Sequence, residues 1–249
     1  LNIRPWMWQS FTTTSELVHY YRPILAKNKR RGKPHGFLIG DSTSMQMANN
    51  LQWALASHGY TMSHFYTWST IQSYLWWDGG AAYGNTLADM LADLAEDSDI
   101  IVFSYYDFGR TMVNYNGLDG YYGTFLAQLR DKTTAHIVIA DNFPSPLSEN
   151  GVEWLKIQNA NNPGVNYENY MERTSSLRKN YQDFATRHDK THIWHYGNKL
   201  CNDTGGFCGP FVPGTKTLAY MDTYHLTPQG AFYFWPFMCE ELNQILSGR

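Results

Sequence analysis

Charge is scarce in this chain, and neither sign dominates. Asp, Glu, Lys and Arg make up 16% of its 249 residues, and 19 basic against 22 acidic side chains leave a formal net charge of −3. That balance argues against a nucleic-acid binder, which needs a basic face to neutralise phosphates. Long apolar runs are missing as well: none approaches the ~18 residues that crossing a bilayer requires. Cysteine is limited to three residues, and the Cys201 and Cys208 pair lacks the further ligands of a zinc site. No internal repeat or low-complexity tract occurs. The chain opens at Leu1 without Met or a signal-like apolar segment, which reads as a mature protein or a piece of something larger.

What is present describes an ordinary globular protein. Hydrophobic residues reach 43% and aromatic ones 16%, with 18 Tyr, 13 Phe and 9 Trp. The length suits one compact domain, with room for a modest extension. Five short apolar runs are expected to be strands: Phe37 to Ile39, Thr61 to Tyr66, Ile100 to Phe103, Ile137 to Ile139, and His192 to Trp194. Helical spacing lies between them, at Ala48, Leu51 and Leu55, at Leu87, Met90, Leu91 and Leu94, and at Tyr170, Thr174, Leu177, Tyr181 and Phe184. Alternating helices and nearly continuous apolar strands predict a parallel sheet covered on both faces. The fold class is therefore α/β, a three-layer flavodoxin-like sandwich of about five parallel strands in the order 2-1-3-4-5.

Residues 1–34 are read as an N-terminal extension or linker, and 35–249 as the main domain. The extension carries Trp6, Trp8 and the basic run Lys27, Lys29, Arg30, Arg31 and Lys33. A packed extension followed by a solvated linker is expected there; an anionic membrane surface or a partner domain is the alternative. The Pro- and Asn-rich stretch from Asn142 to Val165 reads as a long loop. Cys201 and Cys208 bracket a Gly-rich hexapeptide and are either a local disulfide or two free thiols, the former implying an oxidising compartment. Cys239, in an apolar segment, reads as a buried thiol.

The chemistry sits at the two ends of the domain. The first strand runs into Gly40-Asp41-Ser42 and then an amphipathic helix. Ligands of open parallel sheets bind beyond the carboxyl ends of the strands. Ser42 is thus expected at a strand-to-helix turn, its hydroxyl exposed and its N–H at the positive end of a helix. By itself the tripeptide equally describes a capped helix start. The other half is Asp222-Thr223-Tyr224-His225-Leu226-Thr227-Pro228, with Thr227 as N-cap and Pro228 as first residue of the last helix. A three-residue separation on a turn lets the Asp222 carboxylate fold back toward Nδ1 of His225. Nε2 is then left to take a serine proton.

The two motifs, in this order, resemble the SGNH (GDSL-like) hydrolases, where Gly-Asp-Ser opens the domain and Asp-x-x-His closes it. The resemblance implies Ser42 as nucleophile, His225 as general base and later acid, and Asp222 as the carboxylate that orients it. Leu200-Cys201 to Cys208, Leu218 to Asp222, His225-Leu226-Thr227 and the strand leading into Asp141-Asn142-Phe143-Pro144 are similar to one SGNH group. Its members are extracytoplasmic domains fused to, or working beside, membrane acyltransferases that O-acetylate bacterial surface polysaccharides. That likeness implies a Cys201–Cys208 bridge and a location outside the cytoplasm. Two departures stand out. The Gly expected after the second strand is represented by Gly79 and Gly80, of which Gly80 is preferred as an oxyanion donor beside the Ser42 N–H. The Asn expected after the third strand is missing from Ser104-Tyr105-Tyr106-Asp107-Phe108-Gly109-Arg110, and Asn114 and Asn116 lie too far along to replace it.

Asp107 and Arg110 follow the third strand and are candidate substrate contacts, with a local ion pair as the alternative. Trp77, beside Trp76, is a candidate sugar-stacking residue, with a core role as its alternative. The remaining histidines show no metal-ligand spacing, so no cofactor or metal is expected. The reading is an O-acetyltransferase that carries acetyl through an acyl-serine to a carbohydrate hydroxyl, taking it from a donor presented by a membrane acyltransferase domain. A carbohydrate esterase with the same triad is the alternative; a non-catalytic glycan-binding domain is a third.

Overall fold

The computed structural model describes residues 14–29, 32–66, 80–104, 121–141, 164–202, 206–222 and 225–248. Strands β1 (His35–Gly40), β2 (Thr61–Tyr66), β3 (Ile100–Ser104) and β4 (His136–Ala140) each contain one of the apolar runs. The short β5 (Val165–Asn166) lies apart, and β6 (Thr191–Trp194) contains the last run. The main sheet is parallel throughout, ordered β2-β1-β3-β4-β6, so its five strands follow the expected 2-1-3-4-5 pattern when counted among themselves.

Side chains alternate between the faces of a strand, and here both faces are buried. Phe37, Ile39, Ile101, Phe103, Ile137 and Ile139 enter one core, while Leu38, Val102 and Val138 enter the other. The middles of β1, β3 and β4 are therefore filled by apolar side chains on both faces, which is why they read as unbroken apolar runs.

Helices cover both faces. Among the described residues these are α1 (Thr14–Asn28), α2 (Ser42–Ser57), α3 (Gly80–Leu94), α4 (Tyr121–Lys132), α5 (Tyr167–Arg187), α6 (Pro228–Tyr233) and α7 (Trp235–Leu246). Leu91 of α3, Leu126 of α4 and Tyr181 of α5 meet the first core. Leu51 of α2, Ala231 of α6 and Leu242 of α7 meet the second. On α2 the buried stripe runs through Met47, Leu51, Ala54 and Leu55, with Ala48 only at its margin. The last helix is divided: Phe234 caps α6, and α7 begins with Pro236 in its first turn, where a missing N–H does no harm.

Two further features appear. The end of the 142–165 stretch forms β5, which joins β8 (Phe207–Cys208) and β7 (Cys201–Asn202) in a small sheet ordered β5-β8-β7. Cys201 pairs with Cys208 in the antiparallel register, and the two sulfurs are bonded at 2.04 Å, so the bridged alternative holds. Cys239 is half-buried rather than fully buried, and partial burial pushes its thiol pKa up.

The N-terminal helix α1 is docked. Its Leu25 is 2% exposed and lies in the first core. Lys29 Nζ meets the fully buried Asp99 carboxylate at 2.8 Å and the Leu94 carbonyl at 2.6 Å. Asp99 also accepts from the N–H of His35 at 2.7 Å and of Glu96 at 2.8 Å. Burial without that lysine would leave the carboxylate charge uncompensated.

Candidate active site

Ser42 is placed by the geometry of one corner. The β1 strand ends at Gly40, where an added Cβ would lie 1.8 Å from the Ser104 carbonyl oxygen and 2.7 Å from Ser44 Cβ. Only a residue without a side chain lets β1, β3 and the start of α2 approach so closely. Asp41 then acts as the N-cap: its Oδ1 accepts from Thr43 N–H at 2.9 Å and from Thr43 Oγ1 at 2.8 Å. Ser42 is the first residue of α2. Its N–H belongs to the turn whose amides have no intrahelical acceptor, and the helix end carries partial positive charge.

His225 arrives from the other end of the chain. The Tyr220–Leu226 bridge and the bond from Met221 N–H to the His225 carbonyl, at 2.8 Å, turn residues 220–222 back against His225 and Leu226. Thr227 caps α6 through its Oγ1, which accepts from Gly230 N–H at 3.0 Å. Within the turn, Asp222 Oδ1 accepts from His225 N–H at 2.7 Å, and Oδ2 lies 2.5 Å from Nδ1. Nε2 lies 2.8 Å from Ser42 Oγ, across 183 residues of sequence. A carboxylate only accepts, so Nδ1 carries the proton; Nε2 is then bare and accepts the Ser42 hydroxyl proton. Asp222, His225 and Ser42 thus form one hydrogen-bonded chain ending at the head of a helix. Such a chain can draw a proton from Oγ while helix amides face a developing oxyanion.

The other sequence-derived residues are placed less fully. Gly80 opens α3, so its N–H also lies in a first helical turn. Trp77, Asp107 and Arg110 lie outside the described residues, as do Gly79, Asn114 and Asn116.

Two polar clusters went unread in the sequence, because their members are far apart in it. Ser44 Oγ lies 2.7 Å from the Asp41 carbonyl and 2.7 Å from His64 Nε2. Its single proton goes to the carbonyl, so His64 donates from Nε2. This ties β2 to the nucleophile turn. Burial lowers the His64 pKa to about 4 from its usual 6.5. An unfolded chain takes up that proton first as pH falls, so the stability gained from a neutral His64 is lost between about pH 6.5 and pH 4. Between pH 7 and pH 5 the loss is expected to be about 2 kcal/mol. Denaturant unfolding of His64→Gln, which keeps an amide donor, should show a shallower fall over that window than the parent; equal slopes would contradict it.

The second cluster lies at the ends of β4 and β6. Asp141 Oδ2 meets Arg178 Nη2 at 2.9 Å and His195 Nδ1 at 3.0 Å, and Oδ1 accepts from Gly197 N–H at 3.1 Å. It joins α5 to the carboxyl edge of the sheet. Among the described residues no group of three or more His, Cys, Asp or Glu side chains gathers to hold a metal. None of the described helices is long and apolar enough to cross a membrane.

Known proteins share this architecture. A solved chain from Streptococcus pneumoniae named for platelet activating factor shares 15% identity over 92% of both chains, with a TM-score of 0.56. The lipopolysaccharide acetyltransferase periplasmic domain of Salmonella ser. Paratyphi A shares 13% identity over 94% of this chain and 98% of its own, also at 0.56. At such identities the likeness is one of fold. No curated protein matches the chain in sequence. The family model described as SGNH domain (fused to AT3 domains) matches residues 12–236, most of the chain. With the strand order, the Gly-Asp-Ser corner and the Asp-x-x-His turn all in place, this chain belongs to the SGNH domain family found fused to AT3 domains.

Proposed function

We propose that this chain transfers acetyl groups to a carbohydrate hydroxyl through an acyl-serine on Ser42. The observation that carries the proposal is the continuous chain Asp222 Oδ2, His225 Nδ1, His225 Nε2, Ser42 Oγ, with links of 2.5 and 2.8 Å. In the first half-reaction His225 Nε2 takes the Ser42 proton as Oγ bonds to the acyl carbon. Amides of Ser42 and Gly80 face the oxyanion. The tetrahedral species collapses as the bond to the leaving oxygen breaks, and His225 returns its proton to that oxygen. In the second half a sugar hydroxyl gives its proton to His225 and attacks the acyl carbon. Ser42 Oγ leaves and recovers the proton. Asp222 holds the imidazole in the required tautomer and stabilises its charged form.

Membership of the AT3-fused family supports an acetyl donor presented by a membrane acyltransferase domain, and hence an extracytoplasmic location. The Cys201–Cys208 bridge supports the same compartment. The acetyltransferase named among the structural relatives supports a surface glycan as acceptor. Acceptor contact in this reading falls to Trp77, Asp107 and Arg110. One observation favours the esterase reading instead: the side chains of His225 and Asp222 are 29% and 48% exposed, so water has access to the base. An activated acetyl ester, supplied with and without an oligosaccharide acceptor, separates the two. Transfer is expected to yield acetylated oligosaccharide at the expense of free acetate, read by mass spectrometry. Hydrolysis alone at saturating acceptor would select the esterase.

A further inference from the structure

Three hydrogen bonds run along one side of α2. Ser42, Gln46 and Asn50 stand four residues apart, so their side chains lie above one another on the helix. Ser42 Oγ meets His225 Nε2 at 2.8 Å, Gln46 Oε1 accepts from Leu226 N–H at 2.6 Å, and Asn50 Nδ2 donates to the Ala231 carbonyl at 2.5 Å. The segment bearing the imidazole is thereby laid along the helix bearing the hydroxyl.

The middle bond has a distinct place. The other described bonds that shape the His225 turn come from its own segment. Asp222 holds the His225 N–H, Met221 holds the His225 carbonyl, and Thr227 Oγ1 and N–H are tied to Leu218 and Ala219. They set the form of the turn but not its distance from Ser42. Gln46 grips the peptide between His225 and Leu226 opposite Met221: the carbonyl of that peptide accepts from Met221, and its N–H donates to Gln46. A tilt of this peptide would swing the imidazole away from Oγ. Gln46 also keeps its Nε2 buried with no partner among the described residues. The described bond of this amide is thus the one its oxygen makes to the Leu226 N–H.

We infer that Gln46 is a positioning residue for the general base, holding the His225 peptide in register with Ser42. This rests on Ser42 and His225 being the reacting pair. Gln46→Met keeps the side-chain length and removes the acceptor; Gln46→Glu keeps an acceptor oxygen and adds a charge. Hydrolysis of an activated acetyl ester by this chain, and labelling of Ser42 by a fluorophosphonate, are followed across pH. Gln46→Met is expected to lower kcat roughly 10- to 100-fold, the scale of an ångström-size misplacement, while KM stays within about twofold. Gln46→Glu should recover most of kcat and move the acid limb of the pH–rate profile upward, because a nearby carboxylate favours the imidazolium. Asn50→Leu, which removes the outer bond, should lower Tm and spare kcat. An unimpaired Gln46→Met, no recovery in Gln46→Glu, or an equal kcat loss in Asn50→Leu would overturn the inference. Activity surviving in Ser42→Ala would remove the reacting pair itself. An inactive Ser42→Ala beside an unimpaired Gln46→Met would remove the role of Gln46 alone.

Discussion

Ser42→Ala is expected to lower the turnover of an activated acetyl ester by roughly 10⁴- to 10⁶-fold, the range seen when a serine nucleophile is deleted from an intact triad. The size follows from what remains. His225 and Asp222 would keep their mutual bonds at 2.5 and 2.7 Å, and the helix amides would still face the carbonyl, but no oxygen could form the acyl-enzyme. The fold should not suffer. Asp41, not Ser42, caps α2, and alanine is a good residue for a first helical turn. The expected result is therefore an unchanged Tm together with loss of fluorophosphonate labelling and of acetyl-enzyme in the mass spectrum. A labelled protein, or a rate within tenfold of the parent, would place the nucleophile elsewhere.

Gly40→Ala is expected to damage both the fold and the site severely. The added Cβ would sit 1.8 Å from the Ser104 carbonyl oxygen and 2.8 Å from its carbon, both backbone atoms that cannot rotate aside. Gly40 is also paired in register with Tyr66 on one side and Ser104 on the other, so relief means parting strands at the middle of the sheet. The ends that would part are the ones carrying Asp41 and Ser42. A loss of more than about 4 kcal/mol in stability is expected, in the range reserved for specific backbone or core collisions. Soluble protein that does form should be deficient in Ser42 labelling. Denaturant unfolding and labelling measure the two effects; parental values for both would mean that this corner relaxes freely.

Much of the fold is legible in the amino-acid order, for a simple reason. A strand buried on both faces is apolar along its middle, so β1, β3 and β4 announce themselves through Phe37 to Ile39, Ile100 to Phe103 and Ile137 to Ile139, and α5 does so through Tyr170, Leu177, Tyr181 and Phe184 at helical spacing, all buried. The α4 helix leaves a fainter trace because Phe125, Leu126 and Leu129, which it places in the core, fall within five positions, with Gln128 and Arg130 between and after them. The α1 helix is harder still. Its charged end looks like a solvated linker until Asp99, 70 positions away, supplies the buried partner for Lys29.

The site divides along the same line. Local rules determine its two halves: a strand running into Gly-Asp-Ser with an N-cap, and an Asp-x-x-His turn entering a Thr-Pro capped helix. Both depend on bonds spanning only a few residues, which sequence spacing controls. What only the tertiary structure decided is that the halves meet, at 2.8 Å across 183 residues, and what holds them there. That meeting depends on strand order, on a β1–β3 approach tight enough to exclude a methyl group at Gly40, and on cross-links such as Ser44 to His64 and Gln46 to Leu226. Contacts of that kind are set by packing in three dimensions, and no periodicity along the chain encodes them.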